Sequence, residues 1–174
     1  MAAFPRAETH RPRRAALLAA AVAGMMAFGG AGAWADEAAG RARAVGGATI
    51  EIAGQRLRLD GIAAPDGSWR CLSRKGRAYD CADIARETLA SFLRGVEVAC
   101  TPAGRDRCNR ELATCRVRRA DLGLQMVISG WAVADGPEGG RYKRAERSAQ
   151  TRRQGLWRGR FERPADAPCP RTDD

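Results

Sequence analysis

Six cysteines and a single histidine limit the chemistry open to this chain of 174 residues. The histidine is His10, and it lies in a stretch that reads as a secretory signal. Arg11, Arg13 and Arg14 form a basic start, and an Ala-rich apolar run follows from Ala15 to Ala31. Ala33-Trp34-Ala35 then supplies small residues at the two positions a signal peptidase reads, so cleavage is expected before Asp36. The competing reading is an uncleaved membrane anchor. The run is short and rich in Ala and Gly, which weighs against a span. A mature chain without His has no Ser-His-Asp or Cys-His arrangement, no imidazole base and no His-liganded metal. Any hydrolysis would fall to carboxylates, Arg, Lys or a metal held by oxygens. All six cysteines (71, 81, 100, 108, 115 and 169) lie in the mature part, and none forms a Cys-x-x-Cys pair. An even number in an exported small domain points to disulfides rather than zinc.

Charge narrows the partners. The whole chain carries a formal +10. Four Arg and one Glu leave with the signal, so the mature 139 residues carry +7. Such a chain is attracted to polyanions: nucleic acid, anionic lipid or acidic polysaccharide. Only Lys75 and Lys143 are lysines, and a GC-rich coding background would itself favour Arg.

The elements that position these residues follow from periodicity. Residues 36–44 read as a polar leader. Ile50 and Ile52, then Leu57, Leu59 and Ile62, alternate as a hairpin of half-buried strands. Ala63-Ala64-Pro65-Asp66-Gly67 is a loop, and 67–78 a polar connection. Asp80 can cap a helix on which Ile84, Ala85, Thr88, Leu89, Phe92 and Leu93 recur at helical spacing, and Gly95 ends it. Residues 96–100 and 112–117 are strands around a Pro/Gly/Arg loop. Asp121 can cap a second, short helix up to Ile128. A third helix is expected from Tyr142 to Gln154, with Tyr142, Ala145, Ala149 and Arg152 along one face and Arg141, Lys143, Arg144, Arg147, Arg152 and Arg153 making it an Arg-rich helix of the kind that is usually a solvated face. On this map Cys100 and Cys115 lie on neighbouring strands, and Cys71 precedes the helix that holds Cys81, so two bridges are expected. Cys108 and Cys169 pair by elimination.

The order of elements resembles the staphylococcal nuclease (thermonuclease-like) domain. Leu57-Arg58-Leu59-x-Gly61-Ile62-x-Ala64-Pro65 looks like that family's first catalytic segment. Asp106-Arg107-Cys108-Asn109-Arg110 looks like its second. Gly130-Trp131-Ala132, Tyr142-x-x-Ala145-Glu146 and Gly155-Leu156-Trp157 follow in order. The resemblance implies an α+β fold, a five-stranded OB-type β-barrel with three helices over residues 45–163, with 164–174 an irregular tail. It also implies Ca²⁺-dependent phosphodiester hydrolysis, with two Asp holding the metal, a Glu aiding the water and two Arg on the phosphate.

Carried over position by position, Arg58 and Arg110 match the two phosphate-binding arginines, and Asp106 matches the first residue of the second motif. Asp66 stands at the Glu position. Ala48 and Ala63 stand at the two metal-ligand Asp positions, and Cys108 replaces a Tyr that packs on the nucleotide. No cofactor is expected, because Ca²⁺ takes about six to eight oxygen ligands and two Ala supply none. The expectation is an exported, periplasmic or secreted monomer. Its Arg58 and Arg110 bind a phosphate-bearing or other anionic ligand, and Ca²⁺-dependent activity is weak or lost. Two alternatives stay open: a nuclease rewired around Asp60, Asp66 or Asp106, and an envelope protein-interaction module. Asp60 is expected either to supply a displaced carboxylate or to pair with Arg58 or Arg56. Trp69, in an Arg-rich stretch, is the better aromatic contact candidate; Trp131 and Trp157 read as packing residues.

Overall fold

The computed structural model describes residues 37–164 together with Cys169. The expected signal and most of the tail lie outside the described residues. The segment expected to be a polar leader is instead two strands, β1 (Ala38–Gly40) and β2 (Ala42–Gly46). Its signal is weak but present. Ala42 and Ala44 pack half-buried against the core while Arg41 and Arg43 point to solvent. That is a period of two, carried by the smallest apolar side chain.

The hairpin forms as expected. β3 (Thr49–Ile52) and β4 (Gln55–Leu59) pair antiparallel with Thr49 opposite Arg58, which sends Ile50, Ile52, Leu57 and Leu59 inward. Gly61 then turns the chain at φ +76°, a value that Gly adopts without strain. After it come β5 (Ile62–Ala63) and β6 (Arg70–Leu72). Helix α1 (Cys81–Leu93) starts where Asp80 accepts the Asp83 amide at 2.9 Å. Its Cys81, Ala85, Leu89 and Leu93 recur every four residues and are buried.

β7 (Val98–Arg105) and β8 (Glu111–Val117) are longer than the strands read from sequence, and they continue into the expected loop. β8 also pairs parallel with β4, placing Leu112 beside Arg58. The sheet runs β1-β7-β8-β4-β3-β2, with β9 (Ala120–Asp121) on β8. Five of its strands have four or more residues, as the OB-type expectation requires; β1 and β9 are short additions.

Helix α2 (Leu122–Ile128) is capped by Asp121, which accepts the Leu124 amide at 3.1 Å and the Tyr142 hydroxyl at 3.0 Å. Burial and the adjacent Asp121 push the Tyr142 hydroxyl up to about 12. β10 (Val133–Ala134) pairs with β5. The third helix is shorter than expected. A 3-10 turn spans Pro137–Tyr142, and α3 runs from Lys143 to Thr151. Glu146 and Ala149 face inward, and the Glu146 carboxylate accepts the Ala134 amide at 3.0 Å.

Two further elements follow α3 within the described residues. A 3-10 turn at Gly155–Arg158 leads to β11 (Arg160–Glu162), which pairs with β6. Trp69 stacks on Phe161 with centroids 5.8 Å apart, and the Trp157 ring meets Phe161 edge-on at 4.9 Å. The three disulfides join Cys71 to Cys81, Cys100 to Cys115 and Cys108 to Cys169. Cys100 and Cys115 sit directly opposite on β7 and β8. Among the described residues no helix is long and apolar enough to cross a membrane.

Candidate functional site

A cleft of about 570 Å³ opens at the C-terminal end of β4. Its walls come from the β4–β5 turn, the loop between β7 and β8, residues 135–138, and Arg163 with Pro164. Asp106 organises it. Its Oδ1 accepts the Cys108 and Arg110 amides at 2.8 and 3.0 Å, which folds the loop back on itself. Its Oδ2 accepts the Arg110 Nε at 2.7 Å and lies 3.8 Å from the Arg58 Nε. The two guanidiniums expected to face phosphate therefore converge on one carboxylate. Burial alone would raise the Asp106 carboxyl, but the Arg110 amide and side chain and the Cys108 amide outweigh it and hold it below the ordinary range. Burial, then Arg110, press Arg58 below its ordinary value, while Asp106, Asp135 and Asp66 pull it up. Arg58 stays charged at neutral pH.

The other carboxylates at the cleft are also engaged. Asp66 accepts the Ser68 amide at 2.9 Å and the Ser68 hydroxyl. Asp135 takes Arg163 in a fork of 2.8 and 3.0 Å, and that guanidinium lies 5.9 Å from the Trp69 ring centroid. The Arg163 hydrogen bond, against a raising effect of burial, holds the Asp135 carboxyl below its ordinary value.

Asp60, expected beside Arg58 or Arg56, takes an arginine from elsewhere in the chain. It is buried and meets Arg141 from the 3-10 turn at 3.1 Å. The expectation took Asp60 as a continuation of strand alternation. The strand ends at Leu59, and the turn at Gly61 redirects the next residue.

Calcium does not fit these residues. Ala63 lines the cleft and Ala48 belongs to the apolar core, and neither offers an oxygen from its side chain. Among the described residues, no three His, Cys, Asp or Glu side chains are grouped so as to hold a metal ion.

Sequence reasoning missed Asp135 and Arg163. They are 28 residues apart and belong to no periodic pattern; only the tail's return as β11 brings them together. Trp69, singled out from sequence, does line the cleft. The Cys108–Cys169 bridge places a disulfide in the cleft wall at the position of the family's Tyr.

A mixed α+β domain built on an OB-type sheet, with an arginine on β4 facing a second on the β7–β8 loop, is the architecture of the thermonuclease class. The chain belongs to the staphylococcal nuclease homologue family, whose model matches residues 56–159. Its relatives are of two kinds. It is 36% identical over 126 residues to the succinoglycan biosynthesis protein ExoI of Rhizobium meliloti (strain 1021), covering 71% of this chain and 66% of that one. It is 36% identical over 121 residues to the probable endonuclease LCL3 of Paracoccidioides brasiliensis (strain Pb03), covering 59% of this chain but only 34% of that protein. A probable endonuclease LCL3 of Colletotrichum graminicola is 34% identical over 123 residues, 44% of its length. The chain thus spans just under two thirds of the first relative and less than half of the others.

Proposed function

We propose that this protein is an exported, periplasmic or secreted member of the family that binds phosphate-bearing or other anionic ligands in the cleft, with Ca²⁺-dependent phosphodiester hydrolysis weak or lost. The observation that carries this reading is the convergence of Arg58 and Arg110 on Asp106, with Ala at both metal-ligand positions. A guanidinium fork suits phosphate oxygens, and an entering anion would exchange for the Asp106 contact. The mature charge of +7 favours nucleic acid or another polyanion as partner. One relative is named for glycan biosynthesis rather than cleavage, so the ligand class is kept broader than nucleic acid.

A second reading, a rewired nuclease using Asp60, Asp66 or Asp106, draws on the relatives named endonuclease. Against it, Asp60 and Asp106 already hold arginines. The third, an envelope interaction module, predicts no anion binding at the cleft.

Calorimetry with pyrophosphate, beside plasmid and RNA digestion with and without Ca²⁺, separates the three. Arg58→Ala and Arg110→Ala are each expected to weaken pyrophosphate binding about tenfold or more, since a charged hydrogen bond contributes roughly 1.5–3 kcal/mol. Digestion is expected to be very slow and indifferent to Ca²⁺. Robust Ca²⁺-stimulated cleavage abolished by Arg58→Ala would establish the second reading instead. Export is tested by N-terminal sequencing of the secreted or periplasmic fraction, with Asp36 expected first. A mature species retaining Met25 and Met26 would refute that cleavage.

A further inference from the structure

The arginines beyond the cleft are disposed differently from those within it. In the cleft, Arg58, Arg110 and Arg163 each share a carboxylate. On α3 the inward face carries Glu146 and Ala149, and about 100° per residue puts Arg144, Arg147, Ser148 and Thr151 on the opposite side. Those four residues line a shallow depression together with Arg152. Arg152 also lines an adjoining groove with Arg153 and Arg158, where α1 and the turn after α2 contribute Phe92 and Trp131. One surface therefore runs from α3 to the two aromatic rings. No Asp or Glu lines either part, and no residue is shared with the cleft. Arg144, Arg147, Arg152, Arg153 and Arg158 make no ion pair among the described residues, whereas the cleft arginines Arg58, Arg110 and Arg163 do.

Five neighbouring guanidiniums without a counter-charge repel one another, so the surface is complementary to a ligand that brings several negative charges at once. Its length points to a polymer. Arg144 and Arg152 are eight residues apart, about 12 Å along a helix at 1.5 Å per residue. That is longer than one phosphate group and fits a few consecutive phosphates of a chain. Its far end points to bases. Phe92 and Trp131 pack against the core and are half-buried, but both also line the groove beside three of the arginines, where their open parts can meet a base as aromatic platforms on single-strand tracks do. Anionic lipid and acidic polysaccharide share the charge but have no planar group to stack.

We propose that this surface binds single-stranded nucleic acid, its phosphates along α3 and its bases toward Phe92 and Trp131, as a second site independent of the cleft. The test uses the mature protein and a fluorescein-labelled single-stranded DNA 12-mer, followed by anisotropy across a salt series. The variant is Arg144→Gln, Arg147→Gln and Arg152→Gln combined. These side chains are exposed and without ion-pair partners, so the thermal midpoint is expected to hold. Affinity for the 12-mer is expected to fall at least about tenfold, and the slope of log K against log salt to shrink by roughly two to three. Pyrophosphate binding at the cleft, measured on the same variant, is expected to be unchanged, so failure of either site is seen separately. Unchanged 12-mer affinity and slope in the folded variant would overturn the proposal, as would no 12-mer binding by the parent. Heparin or phosphatidylserine vesicles binding the parent as tightly as the 12-mer, with the same loss in the variant, would overturn its assignment to nucleic acid.

Discussion

A protein carrying Ala48→Asp, Ala63→Asp and Asp66→Glu together is expected to show a thermal midpoint that climbs with Ca²⁺, where the parent's stays level. Both alanines are nearly inaccessible, 4% and 3% exposed; Ala63 borders the cleft, but Ala48 packs in the core, so at least one new carboxylate must displace apolar neighbours. Without a cation the combined variant should be destabilised by several kcal/mol, the cost of desolvating charges that lack a partner. Saturating Ca²⁺ at about a hundredfold over Kd would return roughly 2.7 kcal/mol. Single substitutions should only destabilise, because one carboxylate leaves the ion under-coordinated. Cleavage of plasmid DNA should appear with the Ca²⁺ response and vanish with Arg58→Ala. Calorimetric Ca²⁺ titration decides: a folded triple variant that binds no Ca²⁺ would mean these positions do not surround a common point. Tight Ca²⁺ binding without cleavage would put the defect in the arginines or in the disulfide at Cys108.

Asp106→Asn should have a comparably large effect, by removing a carboxylate rather than adding one. The Asn oxygen can still accept the Cys108 and Arg110 amides, so the loop keeps its turn. The Asn amide group, however, would present donors to Arg110 and Arg58, which are donors only. Arg58, whose side chain is 18% exposed, would be left beside Arg110 without its nearest counter-charge. Breaking such a part-buried pair is expected to lower stability by about 2–4 kcal/mol. Pyrophosphate should then raise the variant's midpoint more than the parent's, by supplying the missing anion.

The pH dependence has a defined sign. The Asp106 and Asp135 carboxyls are held below their ordinary values, so the stability they contribute is complete above an unfolded pKa of about 3.9. It is lost as pH falls through the lower folded values. Urea unfolding of the parent should therefore weaken below roughly pH 4, and the Asn variant should show a shallower loss there. Parent-like stability and an identical acid profile would show that Asp106 holds nothing together.

Much of this molecule is written locally. Asp80 and Asp121 cap the helices they were expected to cap, and the inward residues of the first hairpin were set by alternation. Cys100 and Cys115 were expected to bridge because their strands had to pair. The misses have a common physical cause. Ala42 and Ala44 bury too little area to announce a strand, although they alternate correctly. Residues 70–72 looked like polar connection because their partner strand lies some ninety residues further on, at 160–162. Asp60 takes Arg141, a partner 81 residues away that no local pattern indicates. At the site, the arginines and Asp106 were legible as a motif. The Asp135–Arg163 pair was not, since only the tertiary return of the chain brings it to the cleft.

The three disulfides also carry a consequence for the order in which the protein matures. Cys71–Cys81 and Cys100–Cys115 close spans of 10 and 15 residues, each within one neighbourhood of the chain. Cys108–Cys169 closes a span of 61 that includes α2, β10, α3 and β11. On a chain-entropy account a loop of that length constrains the unfolded state by about 4 kcal/mol, more than either short one. It is also the slowest to find, because everything between its ends must be in place or held out of the way. The barrel and first helix can thus be oxidised and packed while Cys108 still carries a thiol. The loop bearing Asp106 and Arg110 would then be the last rim of the cleft to be locked. For that interval the domain would have a finished core, while the rim that carries Asp106 and Arg110 still waits for its last covalent tie.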